Sequence, residues 1–130
     1  MKTTTQEWLK FAEADIMSCR KLLDEESLSN IVAFHSQQAV EKSFKALIEE
    51  NNLIIPRIHS VQRLYDITKQ FINHKIDIVE LALLDSVYTA SRYPGDMGLI
   101  ESGMPTKGEA TQLYEIAKKI NIIIIKTIEK

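Results

Sequence analysis

The run from Val32 to Leu47 limits the fold more than any other part of the chain. Read as a helix, it is apolar around more than half its circumference. Val32, Ala39 and Ala46 share one face, and Ala33, Val40, Phe44 and Leu47 share the face beside it. A helix this apolar has to be covered from several sides, which predicts the central member of a helical bundle. Ser36 and Ser43, seven residues apart, fall inside the apolar arc, where small side chains predict close helix contacts. On the polar arc, His35, Gln38, Lys42 and Lys45 align at i, i+3, i+7 and i+10, flanked by Glu41 and Glu49. A purely solvated face favours Glu and Lys. A stripe that adds His and Gln has the chemistry to hold a ligand.

The rest of the chain repeats the helical period. A first helix is expected from about Thr5 to Glu25, with Thr4 and Glu7 as a capping box and an apolar stripe of Trp8, Ala12, Ile16, Cys19, Leu22 and Leu23. Asp15 interrupts that stripe, and a carboxylate on an inward face calls for a cation or a cap as its partner. Ser27 or Ser29 is expected to cap the second helix, which runs to about Asn51. Pro56 stops the connector, and Ser60 caps a third helix from about Val61 to Phe71. A fourth helix from about Ile76 to Ser91 has the seam Ile76, Val79, Leu83, Val87 and Ala90. A fifth starts near Lys107 behind a Thr106–Glu109 capping box and buries Leu113, Ile116, Ala117, Ile120, Ile123 and Ile124. The apolar run Ile122 to Ile125 sits inside that period, so no strand is predicted. Ile122 and Ile125 point away from the inner stripe and suggest a surface for a second chain. The expectation is an all-α, antiparallel four- or five-helix bundle, with residues 1–130 forming one domain.

Composition narrows the function classes. A net charge of −2 argues against a broad basic footprint for nucleic acid but leaves room for a local cationic site. The single cysteine suits a reducing compartment, residues 1–8 carry no apolar segment of a secretory signal, and no apolar run reaches membrane-spanning length. A cytoplasmic protein without membrane contact is expected. His35, His59 and His74 show no metal-binding spacing, so neither a metal nor a cofactor is expected. Cys19, in mid-stripe, reads as a buried thiol and not as a nucleophile. Gly98 and Gly103 have the spacing of a phosphate loop, but Met104 and Pro105 follow where Lys and Ser or Thr are required.

All four glycines and two of the three prolines lie between Pro94 and Gly108, which predicts a long loop from Arg92 to Pro105. Arg92 offers a rigid fork of donors suited to phosphate, and Tyr93 a flat ring suited to stacking on a base. If the second and fourth helices face each other, these join the stripe. Lys42 and Lys45 then supply point charges, and His35 and Gln38 supply hydrogen bonds, Gln38 to a base edge. The bland reading uses the same residues: a solvated helix face, and a cation closing a helix C-terminus.

Four segments in order resemble the HEPN domain family. They are Trp8, Ala12, Asp15 and Ile16 on the first helix; Gln37, Gln38, Ala39, Val40, Glu41, Lys42, Lys45, Ala46 and Leu47 on the second; His59 before an apolar helix with Leu64; and Ala90-Ser91-Arg92-Tyr93-Pro94. The resemblance implies a helical bundle that often forms a homodimer. Small members of this kind resemble the partner subunits of minimal nucleotidyltransferases, where the HEPN chain binds nucleotide or substrate and the partner does the chemistry. Other members are metal-independent ribonucleases with an Arg-x(4–6)-His motif. Arg92 matches the arginine, but Met97, Gly98 and Leu99 stand where the histidine belongs. The departure removes the obvious acid or base and points to binding without catalysis. A pure interaction subunit, antitoxin-like or scaffolding, is the alternative, with an atypical ribonuclease behind it.

Overall fold

The computed structural model describes residues 1–92 and 104–130, with side chains described for 1–88 and 104–130. Five helices carry the fold: α1 (Thr3–Leu22), α2 (Ser29–Glu50), α3 (Val61–Thr68), α4 (Ile78–Arg92) and α5 (Lys107–Glu129). Single 3-10 turns precede α2 (Glu26–Leu28) and extend α3 (Lys69–Phe71). The described residues contain no strand.

As its apolar circumference dictates, α2 is central and touches all four other helices. Val32, Ala33, Ala39, Val40, Phe44, Ala46, Leu47 and Ile48 on it are buried. Each large side chain among them contributes roughly 2 kcal/mol through loss of apolar surface to water. The two serines face different neighbours. Ser36 Oγ donates to Val32 O and lies 3.4 Å from Cys19 Sγ on α1, while Ser43 Oγ accepts from Asn121 Nδ2 on α5 at 2.8 Å. The small side chains therefore mark the helix contacts, as expected. Lys2 meets Glu50 and Cys19 meets Val32, so α1 runs against α2. Ser29 meets Pro105 and Ser43 meets Asn121, so α5 runs with α2.

Helix ends follow local chemistry in some places and tertiary contacts in others. Ser60 Oγ accepts from Arg63 N, and Thr106 and Glu109 form the complete capping box at α5. The expected Thr4–Glu7 box does not form. Helix α1 begins at Thr3, and Thr4 Oγ1 instead donates to Glu49 Oε1 at 2.8 Å, tying its first turn to the end of α2. Neither Ser27 nor Ser29 caps α2. Leu28 holds that position, and Ser29 Oγ donates to Pro105 O at 2.6 Å. Helix α2 closes on Asn52 at φ 60°, with Leu53 N donating to Ile48 O, a left-handed C-terminal turn that Asn tolerates.

The register of α4 corrects the expected seam. Helix α4 starts at Ile78, with Asp77 Oδ1 accepting from Val79 N. Leu81, Leu84 and Val87 are buried, whereas Val79 is 76% exposed. Ile76 is buried, but from the connector. Asp85 explains the orientation. Its carboxylate accepts from Ser60 Oγ (2.8 Å), Val61 N (2.7 Å), Gln62 N (3.2 Å) and Gln62 Nε2 (2.9 Å), gathering the first turn of α3.

Candidate functional site

The polar stripe of α2 is built around two buried carboxylates. Asp15 lies on the inner face of α1 with Ala12, Ile16 and Cys19, and is only 6% exposed. His35 and Lys42, two turns apart on α2, converge on it. His35 Nδ1 lies 2.8 Å from Oδ1, and Lys42 Nζ donates to Oδ2 at 2.8 Å. An ionised carboxylate only accepts, so Nδ1 of His35 carries the proton and Nε2 is left for other contacts. The side chains of His35 and Lys42 remain 30% and 25% exposed. Asp15 thus has the cation partner that its inward position demanded.

Glu41 organises a second centre. Lys45 Nζ, one turn along α2, donates to Oε2 at 2.9 Å, and both groups are almost fully buried. Gln37 and Gln38 each approach Oε1 at 3.4 Å, and His59 Nδ1 lies 3.3 Å from both carboxylate oxygens. The two amides are themselves linked. Gln38 Nε2 donates to Gln37 Oε1 at 2.7 Å, and Gln37 Nε2 donates to the His59 carbonyl at 2.8 Å. The Lys45 ammonium also sits 5.9 Å from the centroid of Trp8, a cation–π contact that helps to enclose it.

An aromatic chain joins the two centres to α4. His35 meets Phe34 edge-on at 5.5 Å, Phe34 stacks on Tyr88 at 6.2 Å, and Tyr88 stacks on His59 at 5.4 Å. Tyr88 lies one turn before Arg92, the last residue of α4. The structure therefore brings His35, Gln38, Lys42 and Lys45 onto one polar seam, with Tyr88 of α4 packed beside it through Phe34 and His59. The side chain of Arg92, Tyr93 and the following run to Gly103 lie outside the described residues.

Sequence reasoning gave no site role to Glu41, Gln37, His59 or Tyr88. The i, i+4 spacing of Glu41 and Lys45 was the available signal for the first of these. Gln37 stands one turn before Glu41 at the same spacing, whereas His59 and Tyr88 meet the seam only through the fold.

Cys19 is fully buried, and burial pushes its thiol up to about 11, with the nearby Asp15 charge acting in the same direction and the Ser36 hydrogen bond against it. Such a thiol is not a nucleophile at neutral pH. The described residues contain no group of three His, Cys, Asp or Glu side chains that could hold a metal, and no described helix is long and apolar enough to cross a membrane.

Known proteins place this arrangement in context. A search of curated proteins found no match. The crystal structure of an archaeal HEPN homologue superposes with a TM-score of 0.74 at 26% identity, covering 98% of this chain and 99% of that one. A protein from Thermus thermophilus, 20% identical, shares the fold with a TM-score of 0.77 over 97% of this chain and 99% of its own. The HEPN domain pattern itself matches residues 5–126, a span that takes in all five helices and both carboxylate centres, and the chain belongs to the HEPN domain family.

Proposed function

We propose that this chain is a cytoplasmic, non-catalytic HEPN subunit that binds a nucleotide or another phosphate-bearing ligand. It acts as a homodimer beside a minimal nucleotidyltransferase. The observation that carries the reading is the stacking of Tyr88 between Phe34 and His59, which sets the end of α4 against the α2 stripe. Arg92 and Tyr93 then continue from that end as phosphate clamp and stacking platform. Lys42 keeps ammonium protons beyond the one given to Asp15, and His35 and Gln38 supply further polar contacts. Lys45, enclosed with Glu41, holds the seam in place and does not meet the ligand directly.

Calorimetric titration with ATP and with GTP, alone and in the presence of a nucleotidyltransferase partner recovered from the native host, tests the reading. The expected outcome is saturable binding that Arg92→Ala abolishes. No heat with either nucleotide under either condition would sink it.

The alternative, an interaction subunit without a small ligand, draws on a different face. Ile122 is 46% exposed in an open groove between α4 and α5, lined by Glu80, Ile116, Lys119 and Ile123. Loss of complex formation on Ile122→Glu, together with nucleotide indifference of the wild type, would favour it.

A further inference from the structure

We propose that the groove beside the start of α1 docks an arginine side chain carried by a different protein. The residues are ones that the nucleotide reading does not use.

The groove is lined by Thr4, Glu7, Trp8 and Phe11 of α1 and by Glu49 of α2, and holds about 230 Å³. Phe11 is 60% exposed, while Phe44 is fully buried. A lone exposed apolar side chain is ordinary on a protein surface. Phe11 is not alone. It stands one helical turn from Trp8, the only tryptophan of the chain, and the two rings line the same groove.

The groove also has a sign. Two carboxylates line it, and no lysine, arginine or histidine does. Thr4 Oγ1 donates to Glu49 Oε1 at 2.8 Å, which fixes that carboxylate and leaves Oε2 to accept from elsewhere. Helix α1 has no side-chain cap, and the Glu7 carboxylate has neither an ion pair nor a hydrogen bond among the described residues. Trp8 already attracts a cation, the Lys45 ammonium 5.9 Å from its centroid. The Phe11 ring has none over it among the described residues.

Aromatic rings beside carboxylates complement a flat, fork-shaped cation. A guanidinium stacks on a ring and donates in pairs to a carboxylate, whereas an ammonium is a point charge. The volume points to a single side chain, because pockets for free small ligands run from roughly 300 to 1,000 Å³.

The sole tryptophan makes the site its own reporter. The isotope-labelled full chain gives one indole N–H signal in its NMR spectrum. Blocked pentapeptides of glycine and serine with arginine, lysine or citrulline at the centre are titrated against it, up to roughly 10 mM. Citrulline keeps the shape of arginine and loses the charge. The arginine peptide is expected to move the indole signal saturably, the lysine peptide to bind several-fold more weakly, and the citrulline peptide to leave the signal in place. Glu7 and Phe11 are exposed, so their substitution leaves the core intact. Glu7→Gln and Phe11→Ala are each expected to weaken the arginine peptide by about fivefold, the effect of one surface ion pair or one exposed cation–π contact. An indole signal that no peptide moves, or that citrulline moves as far as arginine, overturns the proposal. Sedimentation equilibrium in which Phe11→Ala turns a dimer into a monomer overturns it too, and gives the groove to a second copy of the chain. Each of these outcomes leaves nucleotide binding to be decided by its own calorimetry.

Discussion

Asp15 and Glu41 are two answers to one problem, a carboxylate inside a helical bundle. Each takes one lysine and one histidine. They differ in what encloses those partners. Lys45 is 8% exposed, with Trp8 beside it and Gln37 and Gln38 on the same carboxylate, whereas Lys42 and His35 keep a quarter or more of their surface in water. A closed pair has no alternative partner, and an open pair can share its cation with an incoming anion. The difference teaches that the stripe is not uniform: Glu41 anchors the seam, and Asp15 is its adjustable part.

The largest expected effect tests that contrast directly. Glu41→Ala leaves the Lys45 ammonium enclosed and unpaired and should destabilise the fold by about 3–5 kcal/mol, the usual result of breaking a buried pair. Asp15→Ala lets Lys42 and His35 turn to water and should lose about 1–2 kcal/mol. Urea denaturation measures both, and equal losses would break the comparison.

Alkaline pH probes the Asp15 side next. Burial keeps the Cys19 thiol protonated in the folded chain up to about pH 11, while the unfolded chain ionises above its ordinary value of 9.0. The unfolded state therefore loses its proton first. This contribution to stability is complete below pH 9 and drains away between pH 9 and 11, by up to about 3 kcal/mol. Cys19→Ala should flatten that part of the pH–stability curve relative to wild type.

Lys42→Met leaves the buried Asp15 carboxylate with His35 as its remaining partner and should lower stability by about 1–2 kcal/mol. It should weaken ligand binding by roughly tenfold, as expected for one charge-assisted hydrogen bond. The smallest effect belongs to His59→Gln. That ring is 59% exposed and 3.3 Å from Glu41, so a loss of about 0.5 kcal/mol in a denaturant series is expected. A loss several times larger would mean that the Glu41 centre depends on its outermost member.

Local and periodic features were legible in the sequence. The central place of α2, the close contacts at Ser36 and Ser43, the cation for Asp15 and the caps at Ser60 and Thr106 each follow from spacing within a few turns. The register of α4 was not, because it depends on Asp77 starting the helix and on Asp85 reaching back across 23 to 25 residues to Ser60, Val61 and Gln62. For the same reason Ser29 reads as a cap but serves as a tether to Pro105. In the candidate site the residue types were readable and their charge balance was not. Four polar side chains on one face look like a cationic surface until the fold supplies Asp15 from α1 and turns Glu41 inward.

The grip of Asp85 on the start of α3 also has a mechanical meaning. Arg92 lies seven residues beyond it on the same helix, a lever arm of roughly 10 Å. Any tilt of that end must pivot about a point held by the amides of Val61 and Gln62. Those two amides are held by Asp85 and are not among the proposed ligand contacts, so a change in their hydrogen-exchange rates would register a tilt of the helix end.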